Sequence, residues 1–200
     1  MNPIDKSLMA EKLAPVLRRI AWAYFFLYFN ITIGPIDILP SWAGYLMIFS
    51  AIPVLALYEE SAGLLRNVAA ILAAWSVLDW VLTILEANTY GSGLLYSLYA
   101  LTAAVMQVIA IYFHFQLLTN LAGIAGSMNL EYRQRRLLSL RTWNTVIQTI
   151  LAVYTAFPVP DIFWAAMVLL ILNLLILVLI VICLFGFRKE LEEEVSFSHL

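Results

Sequence analysis

Residues Ile162 to Phe187 read IFWAAMVLLILNLLILVLIVICLFGF, 26 consecutive positions without one charged side chain. A helix rises 1.5 Å per residue, so about 20 apolar residues cross the roughly 30 Å of hydrocarbon in a bilayer. A run this long makes lipid the solvent of at least this segment. The rest of the chain agrees. Of its 200 residues 64% are hydrophobic and only 12% charged, with a mean hydropathy of +0.91. A soluble domain carries about twice that charged fraction, and this chain has too little polar surface to cover itself in water.

Working back from that run, Pro158-Val159-Pro160-Asp161 interrupts the chain, and five further stretches approach spanning length. They cover about 15–33, 42–58, 68–86, 94–118 and 142–157. The expectation is an all-α integral membrane bundle of six transmembrane helices. Residues 15–187 form its membrane domain, preceded by an interfacial segment (1–14) and followed by an acidic tail (188–200). Pro15 suits a first helical turn, where its missing N–H costs little. Gly34 and Pro35 end the first span, residues 36–41 make the turn, and Pro53 kinks the second span. Residues 87–93, ANTYGSG, are a turn by composition.

The basic residues orient this bundle. Lys6, Lys12, Arg18 and Arg19 lie before or at the start of the first span, and Arg66 falls in the second loop. Arg133, Arg135, Arg136 and Arg141 fall in the fourth loop, and Arg188 and Lys189 follow the last span. All 11 therefore fall on one side of a six-span chain, which by the positive-inside rule is the cytoplasm, with both termini in it. Trp42, Trp143 and Trp164 sit at span ends, where interfacial anchors belong. A competing arrangement makes residues 20–57 a re-entrant hairpin and leaves every later orientation unchanged.

Two segments read as amphipathic. Met9, Leu13, Val16, Leu17 and Ile20 project opposite Glu11, Lys12, Arg18 and Arg19, a pattern suited to the inner leaflet. Residues 131–138 form a basic helix whose Arg133, Arg135 and Arg136 suit anionic lipid headgroups, at about 1 kcal/mol per basic residue. A protein partner subunit docking there is the alternative. No nucleic-acid partner is expected.

Within the spans, Asp79 stands out as an ionisable group far from either end, and such residues face the interior or water. Ser76, Asp79, Thr83 and Glu86 share one face of the third helix, within an arc of about 80°. Tyr96, Ala100, Ala103, Gln107 and His114 line up on the fourth helix. Thr145, Gln148, Thr149, Ala152, Thr155 and Ala156 do so on the fifth, and Asn173 is the polar group of the sixth. Such groups either tie helices together, at about 0.6 kcal/mol per contact, or line a pocket. The ligand-binding candidates are Asp79, Ser76, Thr83, Glu86, Gln107 and Gln148.

Enzymatic signatures are missing. His114 and His199 are far apart, no G-x-S-x-G, Walker or dinucleotide glycine pattern occurs, and Cys183 is the single cysteine. Glu59-Glu60 followed by Arg66 lacks the spacing of the Glu-Glu-x-x-x-Arg of intramembrane prenyl-protein proteases. No catalytic residue, metal or cofactor is expected. Nor does the charged N-terminus read as a secretory signal.

The stretch Ile36-Asp37-Ile38-Leu39-Pro40-Ser41-Trp42-Ala43-Gly44-Tyr45-Leu46-Met47-Ile48 resembles a motif of small uncharacterised polytopic membrane proteins of Gram-positive bacteria. In those proteins it reads approximately I-D-I-L-P-D-F-I-G-Y-I-L-I. The resemblance covers about 25 residues including Leu57-Tyr58-Glu59-Glu60-Ser61, departs at Ser41, Trp42 and Ala43, and implies a bacterial membrane protein without implying an activity. The six-span plan is also similar to the substrate-binding S components of energy-coupling-factor transporters. Their small-residue docking motif has no counterpart in Ala21-Trp22-Ala23-Tyr24-Phe25. Two functions are thus expected as alternatives. One is a small-solute-binding transporter or transporter subunit with an outward-facing polar pocket. The other is a non-catalytic assembly subunit of a larger membrane complex.

Overall fold

Apolar runs bounded by Gly and Pro become helices, and the fold is all-α. The computed structural model describes residues 3–29, 32–33, 36–37, 40–85, 94–156 and 163–198. These hold α1 (Pro3–Tyr28), α2 (Ser41–Leu55), α3 (Leu65–Ile84), α4 (Leu94–Ser127), α5 (Glu131–Ala156) and α6 (Phe163–Ser198). A two-residue antiparallel ladder pairs β1 (Thr32–Ile33) with β2 (Ile36–Asp37), and a 3-10 helix (Glu60–Leu64) leads into α3. Three segments, Glu60–Ile84, Ser97–Ser127 and Trp164–Ser196, are long and apolar enough to cross a membrane. α2 is apolar but has 15 residues, about 22 Å of rise. α1 and α5 have 26 residues each, but charges crowd their N-terminal halves.

Several boundaries differ from those expected. α1 is continuous from Pro3 through Pro15 and stops at Tyr28, short of the expected end at Ile33, where the β1–β2 ladder takes over. Pro15 lies inside α1 on the exposed stripe of Glu11, Arg18, Arg19 and Trp22, where the Glu11 carbonyl that loses its intrahelical partner faces outward from the bundle. The apolar stripe expected to rest on a leaflet is buried in the bundle instead: Ala10, Leu13, Leu17 and Ile20 have no significant exposure. α4 continues past the expected end at Leu118 to Ser127. Asn129 closes it in the left-handed conformation (φ 60°), a backbone state Asn tolerates. Its N–H donates to the Gly126 carbonyl and that of Leu130 to the Ala125 carbonyl, the paired bonds of a Schellman motif. α5 then starts at once, so most of the expected fourth loop is helix. α6 likewise runs on through the acidic residues.

Each helix packs against the next, and α6 closes the ring against α1. Neighbours run antiparallel. Lys6 pairs with Glu194 while Trp22 meets Phe185 on α1 and α6, and Arg66 lies over Phe49 while Trp80 meets Trp42 on α3 and α2. Alternation brings the start of α1, α3 and α5 to one end with the finish of α2, α4 and α6. This basic end is tightly packed around Leu13, Leu17, Ile52, Leu65, Leu117, Leu121, Ile180 and Leu184. Toward the other, open end, Leu101, Val108, Val153, Val168 and Trp164 stand exposed.

Gly44 sets how closely α2 approaches α1. A Cβ there would lie 2.6 Å from Leu27 Cγ and 2.8 Å from the Ala23 carbonyl oxygen. Gly186 on α6 instead leaves room for the Arg133 guanidinium, which an added Cβ would meet at 2.7 Å.

Candidate functional site: a central cavity reached by all six helices

Where the packed end gives way to the open end, the ring leaves a partly open cavity of about 260 Å³. Every helix contributes to its wall: Tyr28 from α1, Ser41 and Tyr45 from α2, Ser76 from α3, Gln107 and His114 from α4, Gln148 from α5 and Asn173 from α6. Leu27, Ala110 and Leu151 complete it. Among the described residues no carboxylate, lysine or arginine lines it. The cavity is therefore rich in neutral hydrogen-bonding groups.

Its floor is aromatic. The His114 ring is 1% exposed and is ringed by Tyr24, Tyr28, Tyr45 and Phe113, with centroids 5.4, 5.6, 6.3 and 5.4 Å away. One wall is a fixed hydrogen-bond chain: Gln148 Nε2 donates to Tyr28 Oη at 2.7 Å and to Asn144 Oδ1 at 3.2 Å. Two other groups are unsatisfied. His114 Nδ1 and Asn173 Oδ1 are buried without a hydrogen-bond partner among the described residues. Buried polar atoms are normally paired, and an unpaired one costs about 1–3 kcal/mol. Both belong to residues that line the cavity, whereas Tyr24 Oη, Trp42 Nε1, Trp80 Nε1 and Arg141 Nε, also without a partner among the described residues, belong to residues that do not.

The sequence candidates divide. Ser76, Gln107 and Gln148 converge on the cavity from three helices. Asp79 does not reach it. Its carboxylate accepts a hydrogen bond from the Tyr99 hydroxyl on α4, and Tyr99 stacks on Trp75, so Asp79 ties α3 to α4. Thr83 donates to the Asp79 carbonyl within its own helix at 2.9 Å. Glu86 lies outside the described residues. Tyr28, Ser41 and Tyr45 were missed because they sit on helices read for length and anchoring. A cue for Tyr28 was available: Tyr24 and Tyr28 are four residues apart on one helical face. Asn144 lies one turn before Gln148 and carried the same cue.

Polar groups at the basic end serve packing. Arg133 donates to Glu190 Oε1 (Nη2–O 2.7 Å) and lies against Gly186. This hydrogen bond holds the guanidinium pKa above its ordinary value. Of the three arginines suited to headgroups, Arg135 is exposed and paired with Glu131, and Arg136 donates to the Tyr132 hydroxyl. Ser61 Oγ donates to Glu59 Oε1 at 2.8 Å. The Asn120 amide, oriented so that its oxygen accepts from the Ala62 N–H at 3.2 Å, donates to Ser61 Oγ at 3.0 Å. That relay fastens the 3-10 helix to α4.

Compared with protein-family models, curated proteins and solved structures, the chain matches none.

Proposed function

We propose that the chain is a six-span protein of the cell membrane with both termini in the cytoplasm. Its central cavity binds a small uncharged polar solute from outside, as a transporter or as the binding subunit of one. The carrying observation is the pair of unsatisfied groups, His114 Nδ1 and Asn173 Oδ1, in a cavity to which every helix contributes a side chain. A neutral wall favours a neutral guest, because an uncompensated charge at such depth is costly. The topology is supported by the antiparallel ring and by basic residues confined to one end, the distribution that the positive-inside rule assigns to the cytoplasm.

The test is ligand-dependent thermal stability of the purified protein across uncharged metabolites. At least one raises the melting temperature of the wild type, and Asn173→Leu removes the response. A panel without effect, or an equal effect on Asn173→Leu, overturns the reading. Outward access is checked with Gln148→Cys in a Cys183→Ser background, which a membrane-impermeant maleimide labels from outside the cell.

A further inference from the structure

A second, larger space adjoins the cavity. It is a groove of about 720 Å³ between α4 and α5, lined by Ala100, Ala103, Ala104, Val108, Ile111, Thr149, Ala152, Val153 and Thr155 together with Gln107. Gln107 lines both spaces, so its side chain stands between them. Their chemistry differs. The cavity wall presents amides, phenols, hydroxyls and an imidazole, whereas the groove is built mainly from alanine, valine and isoleucine methyls. Next to the groove, Leu101, Val105 and Tyr112 are exposed on α4 and Val146 and Ile150 on α5. These are the outward faces that meet hydrocarbon if the chain spans a bilayer.

From this juxtaposition we infer that the ligand is a single-tailed neutral amphiphile, which enters sideways from the bilayer between α4 and α5. Its uncharged head, bearing hydroxyl or carbonyl groups, takes the central cavity and supplies partners to His114 Nδ1 and Asn173 Oδ1. Its alkyl or isoprenoid tail lies in the groove. The inference rests on the cavity being a binding site; it replaces the small solute taken from outside with an amphiphile taken from the bilayer. A water-soluble solute would leave the groove without a role. A ligand with a charged head would meet no counter-charge among the described lining residues. The alanines matter because each leaves room beside the helix axis that a larger side chain would fill.

The experiment uses the full chain in nanodiscs of dimyristoylphosphatidylcholine with three probes. Glycerol is the head alone, 1-monomyristoylglycerol is head and tail, and lysophosphatidylglycerol has an anionic head. The expected result is stabilisation by monomyristoylglycerol at a concentration at least tenfold below that of glycerol, with lysophosphatidylglycerol inactive in that range. Ala103→Phe and Ala152→Phe lose the tail's tenfold advantage and keep the response to glycerol. A monoacylglycerol with a diazirine in its tail labels the wild type within residues 100–111 and 149–155, a readout that needs no variant to fold. Equal action of glycerol and monomyristoylglycerol, with neutral groove variants, overturns the tail and leaves the cavity standing. Stabilisation by lysophosphatidylglycerol overturns the neutral head. Label spread over all outward faces overturns the groove. If no probe acts, the amphiphile falls, and the response to uncharged metabolites decides the cavity on its own.

Discussion

The two ends of the ring are built from the same six helices and solve opposite problems. At the basic end, Ala10, Leu13, Phe113, Leu117, Ile180 and Leu184 are fully buried, and ion pairs join α1 and α5 to α6. At the open end Leu101 is 64% exposed, Val153 58% and Val168 56%. In water such a surface would collapse or aggregate. Against hydrocarbon it costs nothing, because lipid tails are as apolar as leucine. Packing is therefore needed only where water and headgroups replace lipid, and the open end is left free to hold a cavity and a groove. The cavity sits at the seam, with its aromatic floor toward the packed end.

The largest effect should come from forcing α1 and α2 apart where they meet beside the cavity. Gly44→Leu forces a branched side chain into Leu27 and the backbone carbonyl of Ala23, an obstacle that cannot rotate away. Overpacking of this kind costs about 3 kcal/mol, measurable as a lower melting temperature. Ser41 and Tyr45 are displaced with α2, so the solute response falls as well. An unaltered melting temperature would show that α1 and α2 are not locked at this point.

Next in size is Glu190→Ala. It strands the Arg133 guanidinium, whose side chain is 14% exposed, and costs about 1–2 kcal/mol. The exposed Lys189–Glu193 pair, at 3.7 Å, is the internal control: Glu193→Ala should leave stability unchanged, as surface pairs generally do. A smaller loss, about 1 kcal/mol, follows from Ser61→Ala, which interrupts the relay between Glu59 and Asn120. Neither Glu190→Ala nor Ser61→Ala should alter the affinity for a stabilising solute, because both act at the end away from the cavity.

The sequence made the architecture legible through length and charge. The uncharged run of α6 and the spacing of Lys and Arg pointed to a helical membrane bundle with its basic groups on one side. Helix ends were harder to read, for a physical reason. Arg133 and Arg141 looked like loop residues because they are charged, yet their partners, Glu190 and Thr119, lie 57 and 22 residues away. Periodicity along a single helix does not record such long-range pairing. The site was half legible for the same reason. Ser76, Gln107 and Gln148 each stood on a polar stripe, and stripes that face one another converge. Asp79 shares a stripe with Ser76, but one turn along the helix it meets Tyr99 instead of the axis.

That divergence sets the last and smallest prediction. Asp79→Asn keeps a carbonyl oxygen able to accept from the Tyr99 hydroxyl, so the α3–α4 tie survives in weaker form. The expected stability change is no more than about 0.6 kcal/mol, the average worth of a hydrogen bond between membrane helices. The solute response should be unchanged, because Asp79 lines neither the cavity nor the groove. Gln148→Leu, across α4 on α5, should abolish that response by freeing Tyr28 and Asn144 from their shared amide. If Asp79→Asn abolishes binding while Gln148→Leu spares it, the site belongs between α3 and α4. The open end would then be where the ligand is held, and the seam only where the helices part.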